Sequence, residues 1–130
     1  GQGAHLNDRI LRSPRDKKPL RECVAEIDLK RLDESLRLRL VRDMPFRSQR
    51  NFGSGALDWA WLADGRYQLY LHGGQRLWDY AAGSLILTEA GGHATSLQQE
   101  AVFNNSLGPR SVVGAINADL HDAWLAELKS

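Results

Sequence analysis

Cysteine is nearly missing from this chain. Cys23 is the only one in 130 residues, so no internal disulfide and no multi-cysteine metal site can form. That favours a reducing, cytoplasmic setting. Long apolar runs are missing as well: no stretch approaches the roughly 20 residues of a membrane span, and no basic start with an apolar middle marks a signal peptide. The reading is a soluble chain with no membrane partner. Charge of one sign is also lacking, the formal net charge being +1. The basic group Arg9, Arg12, Arg15, Lys17, Lys18 and Arg21 has no interleaved aromatics on which bases could stack. It reads as a solvated loop, not a nucleic-acid footprint.

What is present is the composition of an ordinary folded domain, with 42% apolar and 25% charged residues. The chain opens at Gly1, not at methionine, which raises the expectation of a missing upstream part.

The early segment to Lys18, punctuated by Gly, Asn, Asp and Pro, reads as a turn, a short strand and a loop. Glu22 to Leu29 alternates, placing Cys23, Ala25, Ile27 and Leu29 on one face and Glu22, Glu26 and Asp28 on the other. That predicts a strand with one wet face, or an edge strand. Its acidic face reads as solvated, with a replacement metal site as the minor alternative. Asp33 to Arg42 suits a short helix capped near Asp33, or a second strand. From Phe46 onward strands and helices alternate: a strand to Phe52, a helix over 56–63, a strand over 67–71 ended by Gly73 and Gly74. A helix over 79–90, strands over 93–97 and 111–116, and a helix over 118–128 complete the pattern. Such alternation predicts an α/β layered arrangement. His5, His93 and His121 lack ligand spacing and read as surface residues; Trp59, Trp61 and Tyr70 read as core or interface.

Two places share one design, in which a strand ends, small residues turn the chain, and a helix begins. One is Gly53, Ser54, Gly55; the other is Trp78, Asp79 before Ala81 and Ala82. A helix start offers unpaired N–H groups and partial positive charge, so each could face an anion. The plainer alternative is that Ser54 and Asp79 only cap their helices.

The run Trp78, Asp79, Tyr80, Ala81, Ala82, Gly83, closed by Glu89, Ala90, Gly91, Gly92, resembles the C-terminal signature of the inositol monophosphatase family. Arg50, Phe52, Gly53, Ser54 and Leu57 precede it in the family's order, and Gly1, Gly3, Ala4 and Asn7 match its GxGAxxN segment. Val113, Ala115 and Asn117 match its last strand and helix. The resemblance covers nearly the whole chain.

The resemblance implies a layered helix and sheet sandwich like the C-terminal portion of that fold, with 1–45 a remnant of an N-terminal sheet layer and 46–130 a C-terminal α/β domain. It implies a Mg²⁺-dependent phosphomonoesterase acting on inositol phosphate or a related sugar or nucleotide phosphate. Asp79 matches the metal-ligating, catalytic aspartate; Gly53, Ser54 and Gly55 match the substrate turn. His72 matches a position where inositol-specific members carry a glutamate that binds a ring hydroxyl, a departure that leaves the substrate open. The family's upstream Glu and Asp-Pro-x-Asp-Gly-Thr motif, which hold the other metal ligands, do not occur in these 130 residues. The chain is therefore expected to be an inactive C-terminal fragment that pairs with its own copy or with a missing N-terminal half. A non-catalytic binding or assembly module derived from the fold is the alternative.

Overall fold

The computed structural model describes residues 2–12, 18–103 and 108–130. Gly1, Pro14, Arg15 and Lys17, used in the sequence reading, lie outside them.

Strands β1 (Ala4–Leu6) and β2 (Arg9–Leu11) form an antiparallel hairpin. Asn7 and Asp8 turn the chain with φ of 50° and 67°, the left-handed backbone that a tight hairpin needs and that Asn and Asp tolerate. Arg9 ties the hairpin to the main body through an ion pair with Asp64 at 2.8 Å.

The remaining strands are β3 (Val24–Asp28), β4 (Ser48–Arg50), β5 (Leu69–Gln75), β6 (His93–Thr95) and β7 (Arg110–Ala115). They make one mixed sheet in the order β4-β3-β5-β7-β6, with β3 parallel to both its neighbours and β7 antiparallel to both of its own. The helices are α1 (Glu34–Asp43), α2 (Gly55–Ala63), α3 (Leu77–Glu89) and α4 (Ala118–Lys129). Strands joined in parallel need crossovers, which α1 and α2 supply. Helices α2 and α3 pack on the face carrying Tyr70 and Gly114, where Trp59 meets Tyr70 edge-on at 5.4 Å. Helix α4 covers the opposite face, its Trp124 indole N–H donating to the Tyr70 carbonyl at 3.1 Å. The Arg39 guanidinium of α1 then caps the end of α4, donating to the carbonyls of Glu127 and Leu128 at 2.7 and 2.6 Å.

Several expectations change here. Strand β3 is hydrogen-bonded on both sides, to β4 and to β5, so it is not an edge strand. Its acidic face is wet only at the start: Glu22 is exposed and Asp28 half-buried, but Ala25, Glu26 and Ile27 are buried in succession, because helices cover both faces of a sheet with parallel strands at its centre. The sheet runs across residue 45, since β3 pairs directly with β5. Strand β5 runs through Gly73 and Gly74 to Gln75, with a register shift after His72. A Cβ on Gly73 would lie 2.3 Å from the Arg31 carbonyl carbon, so the glycine admits a neighbouring backbone and does not end the strand. Finally, His121 is buried, not on the surface; its Nε2 lies 3.0 Å from the Thr95 hydroxyl and its ring 4.7 Å from that of His93.

The spacing of α2 and α3 depends on Gly83. A Cβ there would sit 2.3 Å from Cγ of Trp59, a ring fully enclosed and fixed by its N–H bond to Gln75 at 2.8 Å. Gly83→Ala is therefore expected to cost about 1–3 kcal/mol by overpacking, despite alanine's better helix propensity. Urea unfolding measures it, and an unchanged midpoint would contradict this account.

Candidate functional site

In open α/β sheets, ligands sit beyond the carboxyl ends of the strands where the connections change direction. Here the change occurs at β3, which has β4 on one side and β5 on the other. Asp28 ends β3, the turn at Gly53 follows β4, and His72 lies opposite Asp28 in the register of β5. The sheet gathers these three places from residues 28 to 72.

The turn after β4 is built by local hydrogen bonds. The Asn51 side-chain oxygen accepts the Gly53 N–H at 3.1 Å, and Gly53 takes φ +75°, a conformation that strains any other residue. Ser54 stands at the cap position of α2, extended at φ −127° and solvent-exposed, and its side chain makes no capping bond. Asp79 does not cap α3 either, for Arg76 holds the cap position. The pure capping account thus fails for both residues.

Asp79 points instead at the start of α2. A Cβ on Gly55 would meet its Cγ at 2.9 Å and its Oδ1 at 3.0 Å, so the carboxylate lies directly against the first residue of the facing helix. Two helix starts, each with partial positive charge, abut around one half-buried carboxylate. Among the described residues no hydrogen bond or ion pair engages that carboxylate.

His72 is more constrained than its sequence position suggests. Its Nδ1 accepts the Gly74 N–H at 3.0 Å, which leaves the proton on Nε2, and Nε2 lies 3.4 Å from Asp28 Oδ2. Burial lowers the His72 pKa, opposed by attraction to Asp28 and Asp79, while Arg31 lowers it further. The ring is a neutral bridge with both nitrogens directed at protein groups. Asp28, read from sequence as part of a solvated face, supplies the negative charge beside it; its other oxygen accepts the Lys30 N–H at 3.0 Å. Only the cross-strand register reveals this pair.

As a metal site, the donors fit Mg²⁺ in kind but not in number. The Asp79 carboxylate offers a hard oxygen donor, but among the described residues no group of three or more His, Cys, Asp or Glu could hold an ion.

The profile of the inositol monophosphatase family matches residues 1–130, the full chain. This chain belongs to that family. It is 34% identical over 106 residues to the inositol-1-monophosphatase of Bacillus subtilis (strain 168), covering 77% of this chain and 39% of that protein. It is 33% identical over 123 residues to the Nus factor SuhB of Xylella fastidiosa (strain Temecula1 / ATCC 700964), covering 85% and 42%. Among solved structures, the extragenic suppressor protein suhB of Bartonella henselae superposes with a TM-score of 0.85 at 28% identity, over 100% of this chain and 50% of that one. Inositol monophosphatase II of Staphylococcus aureus MSSA476 gives 0.83 at 28% identity over 98% and 47%. The chain thus spans about half the length of these structures, and less than half of those curated relatives. The layered α/β architecture is that of the family, and several of the relatives, that of Bacillus subtilis among them, are phosphatases by name.

The His72 bridge has a measurable consequence. Asp28→Asn removes the attraction that holds the His72 pKa up, so the ring is expected to titrate at still lower pH. Histidine ¹⁵N spectra across pH read both the shift and the Nε2–H tautomer. An upward shift would refute the pairing.

Proposed function

We propose that this chain is the C-terminal part of a Mg²⁺-dependent phosphomonoesterase acting on a phosphorylated small molecule, an inositol phosphate or a related sugar or nucleotide phosphate. The observation that carries the reading is the half-buried Asp79 carboxylate, without a hydrogen bond or ion pair among the described residues and set against Gly55 at the opening of α2. Asp79 is read as the catalytic metal ligand, and Gly53, Ser54 and Gly55 as the turn that receives the substrate through the Ser54 hydroxyl and exposed N–H groups. His72 is assigned to the substrate as a positioning bridge whose charge partner is Asp28. Bound Mg²⁺ would supply an activated water and stabilise charge on the leaving oxygen. The chain's own residues fix the direction of one ligand and the wall on which the phosphorylated molecule rests.

Support for the ligand class comes from relatives: Staphylococcus aureus structures of this fold are described with inositol monophosphate and with 2'AMP bound. The assembly alternative keeps a place because a relative is named a Nus factor. The intact Asp79 and Ser54 geometry favours the phosphatase.

One carboxylate cannot hold Mg²⁺ tightly, so the isolated chain is proposed to be inactive, with the remaining ligands on a missing N-terminal half. Phosphate release with excess Mg²⁺ should stay at background, and robust turnover would defeat that. Addition of Mg²⁺ with inositol monophosphate or 2'AMP is expected to move the amide resonances of Ser54, Gly55 and Asp79, and Asp79→Asn to suppress the metal response. Silence at all three residues would overturn the site. Exposed Trp78, Leu85 and Phe103, at 74%, 59% and 55%, favour self-association or pairing with that half, and a monodisperse monomer in light scattering would count against the former.

A further inference from the structure

Behind the candidate site lie two acids that metal and substrate do not use. Glu26 on β3 is 1% exposed, and Asp58 on the first turn of α2 is 3% exposed. Two bare negative charges at that depth are costly unless a cation or a proton offsets them. Among the described residues no cation faces them: the titratable groups nearby are Asp28 on β3, Tyr67 before β5, and Tyr70 on β5.

The hydrogen bonds around the pair are nearly complete. Glu26 accepts the Phe52 N–H with both oxygens, at 3.2 and 3.0 Å. Asp58 Oδ2 accepts the Tyr70 hydroxyl at 3.4 Å, and that hydroxyl in turn accepts from Gln75 Nε2. Asp58 Oδ1 meets no donor at all, although the Asp58 and Glu26 carboxyls stand in hydrogen-bonding contact. One proton between the two acids resolves both facts. With Asp58 protonated, its O–H donates to Glu26, and Glu26 keeps its charge for the Phe52 N–H.

We propose that Glu26 and Asp58 are positioning residues for the Gly53–Ser54–Gly55 turn. The protonated Asp58 clasps Glu26, Glu26 holds Phe52, and the loop and first turn of α2 carry Gly55 against Asp79 as one unit. The proposal rests on the reading of this turn and Asp79 as ligand groups. The clasp itself is a property of the chain without ligand, so the two can fail separately.

Burial and the Glu26 charge push the Asp58 pKa up to about 7, and burial raises that of Glu26 as well. The folded state therefore holds a proton that the unfolded chain releases near the ordinary 3.8. The stabilisation is fully present below that value and is lost as pH climbs through about 7. His72 and His121, whose pKa values burial lowers, act in the opposite sense on the acid side.

The test is a ¹H–¹⁵N titration of the chain from acid to alkaline pH, with no metal and no ligand. Phe52, Ser54 and Gly55 amides should share an inflection near pH 7. Asp58→Asn, whose amide donates without ionising, should abolish that inflection and hold the resonances near their low-pH positions. Should Asp58→Asn not fold, Glu26→Gln serves, because its amide donates to an ionised Asp58 and should move the inflection to acid by a pH unit or more. Glu26→Ala should weaken the Mg²⁺ response at Asp79 several-fold, while Glu26→Gln restores it. Flat amides across pH, an inflection that survives Asp58→Asn, or an undiminished Mg²⁺ response in Glu26→Ala would overturn the clasp. A clasp that titrates as stated beside an Asp79 silent to Mg²⁺ would spare the turn's internal linkage and sink the phosphatase reading instead.

Discussion

The contact on which the site depends is the packing of α2 against α3 through Trp59 and Gly83. The indole fills the place a Cβ would occupy, which sets how closely the two helices lie. From that spacing follows the meeting of their first turns, where the Gly55 backbone touches the Asp79 carboxylate. Neither helix start is a site alone. A carboxylate between two of them is held in a field of partial positive charge, with its direction fixed before any cation arrives.

The polar interior serves the same geometry. The Trp59 N–H bonds to Gln75, Gln75 to Tyr70, and Tyr70 to Asp58, joining α2 to the strand that leads into α3. Buried polar chains of this kind are costly when incomplete and rigid when satisfied. Among the described residues Asp58 Oδ1 is buried without a partner, and a proton shared with the neighbouring Glu26 completes the network there. On the other face the core is more conventional, with Phe46 meeting Trp124 edge-on at 6.2 Å and α1 fastened to the end of α4 by Arg39.

Much of the architecture was legible along the chain because glycines punctuate it and apolar spacing changes period between strands and helices. The helices at 55–63, 77–89 and 118–129 fell within a residue or two of their expected limits. The family was legible too, through the spacing of Trp78, Asp79 and the closing glycines. Strand β3 was misread for a definite reason: alternation reports one wet face only when one face is uncovered, and here Glu26 looks like a solvent residue while being enclosed with a proton partner 32 positions later in the sequence. Asp28 and His72 were each visible, but 44 residues apart, and nothing in one sequence declares a register.

By itself, the sequence determined the order and kind of the elements, the family, and which carboxylate stands at the start of α3, because local propensity, turn chemistry and motif spacing act over short stretches. The tertiary structure alone decided that Asp79 faces Gly55, that His72 is tied to Asp28, and that Glu26 and Asp58 are buried together. Those outcomes depend on sheet register and helix packing, which join residues far apart in the chain and leave no periodic trace along it.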